Sequence, residues 1–154
     1  MQSERTARLV RLARADIGMS LDALARAVRL SASTLAAYEA GTAVPDPQTL
    51  GMVAAATEMR PSIPLAVHSD DIRVEATRHR LRDVRVFGSV VRGADTAGSD
   101  IDLLVRTEPG ADLFDLAGFV VAVEAVTGFP VDVLTEDQLD DEHFAHVRDD
   151  AVPL

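Results

Sequence analysis

Three stretches of the chain carry side chains suited to handling a polyphosphate: Gly88-Ser89, Asp100-Ile101-Asp102, and Asp132 within Pro130-Val131-Asp132-Val133-Leu134. A β-strand points successive side chains to opposite faces, so Asp100 and Asp102 project together while Ile101 turns into the core. Two neighbouring carboxylates repel each other unless a cation sits between them. Magnesium suits that position because it combines carboxylates with water and phosphate oxygens. Asp132 lies in a second strand-like run, with Val131 and Val133 on the opposite face. If that strand lies beside the first, a third carboxylate completes a site able to hold two metal ions. Gly88 permits close approach of backbone to phosphate. Ser89 is read as opening the following helix, where hydroxyl and backbone N–H both serve a phosphate. Arg92, one turn on, is the leading bidentate cation, since the sequence contains no Lys.

These residues need a scaffold, and the hydrophobic periods describe an α/β one. Val84, Val86 and Phe87 run into Gly88, and Ile101–Val105 and Val131–Leu134 are two further β-rich runs. Between the last two, Leu113–Thr127 repeats apolar residues at helical spacing and stops at Gly128. A helix over 70–82 precedes the first strand, and a C-terminal helix follows the last. His143 and His146, three apart there, read as a surface pair. The first 60 residues show no strand pattern. Leu9, Leu12, Ala13 and Ile17 mark a helix face; Ser20 caps 21–28; Ser31 caps Ala32–Ala40 before Gly41; Pro45, Asp46 and Pro47 open a last helix. Pro61, Ile63 and Pro64 make residues 61–69 the expected linker. The division expected is therefore 1–60, an all-α unit, then 70–154, an α/β (α+β) unit.

The motif Val86-Phe87-Gly88-Ser89, ten residues and then Asp100-Ile101-Asp102 resembles the signature of polymerase-β-like nucleotidyltransferases. Gly88-Ser89-Val90-Val91-Arg92-Gly93, Ser99-Asp100-Ile101-Asp102-Leu103-Leu104-Val105 and the ending Asp149-Asp150-Ala151-Val152-Pro153-Leu154 are similar to the small bacterial branch called MNT. The resemblance implies Mg2+ or Mn2+ on Asp100, Asp102 and Asp132, and ATP as co-substrate near Gly88, Ser89, Arg92 and Ser99. Asp132 is assigned as general base. MNT proteins commonly act as antitoxins that transfer an adenylyl group to a tyrosine of a HEPN-fold ribonuclease toxin, which makes that toxin the expected partner. Leu21-Asp22-Ala23-Leu24-Ala25 and Ser31 through Gly41 resemble the helix-turn-helix of the Cro/repressor-like (XRE) family. That resemblance implies operator DNA as a second partner, met by Ser31, Ser33, Thr34, Ala37 and Tyr38 exposed on the recognition helix Ala32–Ala40. Antitoxins often carry such a module to repress their own operon.

Charge and composition narrow the remaining classes. Residues 1–60 hold seven Arg against six acids, and residues 61–154 hold eight Arg against nineteen. An acidic second half disfavours an RNA substrate, although metals weaken that objection. The recognition helix carries no Arg, Asn or Gln, so base reading there is weakly endowed and the helical unit could instead serve dimerisation or docking. The chain contains no cysteine, which excludes disulfides and thiolate sites. No apolar run reaches the ~18 residues of a membrane span, and no signal-peptide pattern opens the chain, so a cytoplasmic protein without a membrane partner is expected. Few residues follow Asp132, so the acceptor is expected on a shallow surface or another subunit, in a homo-oligomer or a hetero-oligomer with the toxin. Two other roles remain open: a transcriptional regulator with a non-catalytic transferase fold, and a nucleotidyltransferase acting on RNA.

Overall fold

The computed structural model describes residues 1–140 and 142–154. Its first part is a helical unit: α1 (Gln2–Asp16), α2 (Leu21–Ala27), α3 (Ala32–Ala40) and α4 (Pro47–Ala56). The expected caps set the helix starts. Ser20, Ser31 and Asp46 accept from the backbone N–H of Ala23, Thr34 and Thr49, satisfying donors that no helical carbonyl can reach. Gly41 ends α3 at φ 74°, a left-handed conformation that costs glycine least. Val10, Leu24, Ala25, Val28, Leu35 and Val53 form the core of the unit. Arg14 braces it with a fork onto Glu39, at 2.6 and 2.9 Å.

The face of α1 differs from the one expected. Ala7, Val10 and Ala13 are buried, whereas Leu12 and Ile17 are exposed. Small side chains on the inward face let α3 and α5 pack closely against α1, so size alone misplaced the stripe.

The segment expected as a linker is also different. Residues Ser62–Val67 form α5, with Ile63, Pro64, Leu65 and Val67 buried. Proline is tolerated in the first turn, where its missing N–H has no intrahelical acceptor, so Pro61 and Pro64 start this helix rather than break it. Ile63 joins Ala13 and Met59 on the helical side, and Leu65 joins the core of the second unit. Thus α5 splices the two units together.

The second unit holds α6 (Ser69–Arg78), β1 (Leu81–Phe87), β2 (Ile101–Thr107), α7 (Leu113–Thr127), β3 (Val131–Thr135), α8 (Ala145–Asp150) and β4 (Val152–Pro153). The four-stranded sheet has the order β3-β2-β1-β4. β1 pairs antiparallel with β2 and β4, and β2 pairs parallel with β3. The sequence reading missed β4; its Pro153 lacks a donor, which an edge strand tolerates.

One face of the sheet packs Val86, Ile101, Leu103, Val105 and Val131 against Ile72 and Ala76 of α6 and Phe119 and Val123 of α7. Burial of each large apolar side chain there contributes roughly 1.5–3 kcal/mol. The other face packs Phe87, Leu104 and Leu134 under Leu139, Phe144 and Val147. α7 ends at Gly128, as its sequence pattern predicts, and begins with a reciprocal capping box between Asp112 and Asp115. Among the described residues, no helix is long and apolar enough to cross a membrane.

Candidate active site

Strand alternation places the acids. Along β2, Ile101, Leu103 and Val105 are buried on the helix-covered face, so Asp102 and Leu104 share the other face. Parallel pairing then sets Asp102 directly beside Asp132, and the antiparallel pairing with β1 sets Asp102 beside Phe87. Asp100 immediately precedes β2 and is exposed, as is Asp132, whereas Asp102 is half-buried.

The turn after β1 covers Asp102. Gly88 has φ 75°, and a Cβ built on it would lie 2.1 Å from Oδ2 of Asp102. Glycine is therefore favoured twice: a left-handed φ costs it least, and any side chain here would push the Asp102 carboxylate aside. Gly88→Ala is expected to lower nucleotide transfer at least tenfold while the protein remains folded, because the clash falls on the carboxylate and not on the hydrophobic core. Steady-state transfer rates alongside circular dichroism check this; wild-type transfer in the alanine variant would show that the approach is not needed.

Residues 88–93 form hydrogen-bonded turns and not the helix expected to start at Ser89. Left-handed glycines at Gly88 and Gly93 close both ends, leaving too few residues between them for a regular helix. The bonds Arg92 N–H to Gly88 O at 3.3 Å and Ala94 N–H to Ser89 O at 2.9 Å fold the segment back on itself. Backbone N–H groups of this segment are therefore offered by a turn and not by a helix N-terminus. Ser99 is partly engaged already: its Oγ accepts from Thr96 N–H at 2.9 Å, closing a turn just ahead of Asp100.

Electrostatics join the three acids. The Asp102 carboxyl is pushed above its ordinary 3.8, first by burial and then by the negative charges of Asp132 and Asp100, while Arg92 pulls it down. No hydrogen bond from a described residue reaches the Asp102 carboxylate. The cluster is thus a concentration of negative charge relieved in part by one guanidinium.

The expected three-acid cage is not preassembled: among the described residues, no three His, Cys, Asp or Glu side chains converge to hold a metal ion. The arrangement still fits magnesium, which is usually bound by one or two carboxylates completed by water and substrate phosphates. Asp102 and the neighbouring Asp100, whose charges already act on each other, are the side chains that would chiefly hold it, with Asp132 beside Asp102 in register. A divalent ion bound there would offset the charge of the triphosphate and of these acids. His143 and His146 fall in different elements, the 3₁₀ turn Glu142–Phe144 and α8, and both are exposed.

In the helical unit, Ser31 and Ser33 are exposed, but Thr34, Ala37 and Tyr38 are partly buried and Tyr38 packs against the core. The exposed row expected on α3 is therefore narrower. Ser31 Oγ also lies 2.9 Å from Ser33 Oγ and 2.7 Å from Thr34 Oγ1, so these hydroxyls already engage one another.

A small mixed sheet with aspartates on two adjacent strands under a Gly-Ser turn defines a nucleotide-transferring enzyme. Comparison with known proteins agrees. The nucleotidyltransferase domain family matches residues 73–152, and the chain belongs to that family. A helix-turn-helix domain family matches residues 5–61. The chain is 33% identical over 75 residues to protein adenylyltransferase MntA of Thermococcus cleftensis, covering 49% of this chain and 73% of that protein. It is 37% identical over 62 residues to MJ0435 of Methanocaldococcus jannaschii, whose name proposes a protein adenylyltransferase, covering 40% of this chain and 67% of that one. A solved structure described as a proposed minimal nucleotidyltransferase superposes with a TM-score of 0.54 at 38% identity, covering 58% of this chain and 92% of that one.

Proposed function

We propose that this nucleotidyltransferase moves an adenylyl group from ATP to a tyrosine hydroxyl of a co-encoded HEPN-type ribonuclease, and that its helix-turn-helix represses the shared operon. The observation that carries the transfer is the register of Asp102 beside Asp132 beneath the Gly88 turn. In the reaction, the acceptor oxygen bonds to the α-phosphorus of ATP, the bond to pyrophosphate breaks, and the acceptor proton passes to a carboxylate. On this reading Asp132 takes that proton and Asp102 holds a cation; the exposure of Asp132 on the edge strand and the recess of Asp102 under Gly88 support that division. Arg92 neutralises phosphate charge. The protein acceptor is supported by the names of both relatives, and the excess of acids in residues 61–154 weighs against RNA.

The test is transfer of radiolabelled adenylyl from ATP with magnesium to the co-encoded protein, followed by mapping of the labelled residue. Label on a partner tyrosine is expected, together with retardation of the protein's own promoter fragment at low salt. Label appearing on RNA, or on neither, overturns the acceptor; no retardation makes the helical unit an assembly module.

A further inference from the structure

The loop between Ser89 and Asp100 is tied at its midpoint to the helical unit by a carboxylate that the transfer chemistry does not use. Asp95 has a side chain with no exposure to solvent. Its Oδ2 accepts from the backbone N–H of Ser62 at 2.9 Å, at the start of α5, and its Oδ1 accepts from NH1 of Arg60 at 3.3 Å. The rest of the Arg60 guanidinium is held by Asp16 at the end of α1, through Nε at 2.8 Å and NH2 at 2.6 Å. A single guanidinium therefore spans the last residue of α1 and the loop of the second unit.

Asp95 also sits where its position matters for the site. The preceding residue, Ala94, donates to Ser89 O, and the following Thr96–Ser99 turn leads directly into Asp100. Displacing Asp95 moves both ends of the loop that presents Ser89 and Asp100. A buried carboxylate needs its partners, since removing the cation leaves an uncompensated charge in a poorly solvated place. A cleft of about 320 Å³, lined by Asp16, Glu58, Arg60, Asp95 and Thr96 among others, opens beside the contact and gives the loop room to shift.

We propose that Asp16, Arg60 and Asp95 form a clasp in which Asp95 is a positioning residue for the nucleotide loop, so that ATP affinity responds to the state of helix α1. This rests on the transferase reading above for its consequence, though the clasp itself can be read without substrate. Whatever draws α1 away from the loop then weakens ATP binding, and ATP binding opposes that displacement by the same factor.

The experiment uses the full chain and two readouts. Asp16→Asn removes the fork from the outer end of the clasp without touching the loop or the acids. Hydrogen exchange of backbone amides in residues 93–99, measured without nucleotide, is expected to quicken in Asp16→Asn and more so in Arg60→Gln. Calorimetry with ATP and magnesium is expected to show dissociation constants raised about 3- to 10-fold, with transfer at saturating ATP within about twofold of wild type. Asp16→Glu, which keeps a two-oxygen acceptor, restores both readouts at least in part. Unchanged exchange in both Asp16→Asn and Arg60→Gln overturns the clasp, as does quickened exchange with wild-type ATP affinity. A wild-type protein that binds ATP and labels no partner overturns the acceptor reading and leaves the two clasp readouts intact.

Discussion

Asp102→Asn is expected to abolish magnesium-dependent ATP binding and, in the same protein, to raise the melting temperature measured without metal. Both effects follow from one carboxylate. Asp102 is half-buried, and its charge is opposed by burial and by Asp132 and Asp100, with partial relief from Arg92. Asparagine has nearly the same shape, removes the charge, and forfeits no hydrogen bond from the described residues. The metal-free fold therefore gains, by roughly 2–4 °C for each kcal/mol of repulsion and desolvation relieved. The sign against pH is fixed by the direction of the shift. A carboxyl whose folded pKa lies above its unfolded value costs no stability below that unfolded value, ordinarily 3.8. The cost grows as pH rises through the interval up to the folded value and is complete above it. The stabilisation of Asp102→Asn over wild type should thus be larger at neutral pH than in acid, where it vanishes. Differential scanning calorimetry in EDTA between neutral pH and pH 4 measures it, with ATP titrations in magnesium alongside. A variant that binds ATP like wild type, or melts lower in EDTA, would exclude Asp102 as the strained metal-binding carboxylate.

Much of this arrangement is legible in the sequence because it depends on local rules. Alternation in Ile101-Asp102-Leu103 and Val131-Asp132-Val133 dictates which side each acid takes, whatever the rest of the fold does. Caps such as Ser20, Ser31 and Asp46, and stops such as Gly41 and Gly128, act through backbone groups within four residues. What sequence alone misplaces depends on packing between distant elements. Ala13 is buried as its pattern implies, but Ala7 and Val10 are buried in place of Leu12 and Ile17 because neighbouring helices approach α1 where it is narrow. Residues 62–67 fold into a helix because Ile63 and Leu65 find cores on either side, which Pro61 and Pro64 conceal. Val152–Pro153 becomes a strand only because β1 offers a free edge. Asp95 carries no sequence signal at all: in a loop of Gly, Ala, Thr and Ser it reads as a solvated charge, and its partners at Arg60 and Ser62 are more than thirty residues away.

The division of labour between the two register partners leads to the other large effect. Asp132→Asn should leave ATP bound with affinity within a few-fold of wild type and lower transfer to the partner by about 10²–10⁴-fold, the usual contribution of a positioned general base. Asp132 lies on the edge strand and is exposed, so an incoming hydroxyl can reach it from solvent. Asp102, covered by Gly88, cannot be approached in that way. In the proposed reaction the acceptor is a tyrosine hydroxyl, protonated at neutral pH with an unperturbed pKa of about 10, so that reaction needs an acceptor for its proton at the moment of attack. Asparagine at 132 keeps the strand register and the side-chain volume but cannot accept that proton. The measurement is a single-turnover rate of label transfer at saturating ATP, beside a binding titration on the same preparation. Asp102→Asn loses both quantities, whereas Asp132→Asn separates them. If Asp132→Asn instead loses ATP binding in parallel with transfer, Asp132 is chiefly a cation ligand. If it transfers at the wild-type rate, the carboxylate at the sheet edge takes no part in the chemistry and the proton leaves by another group.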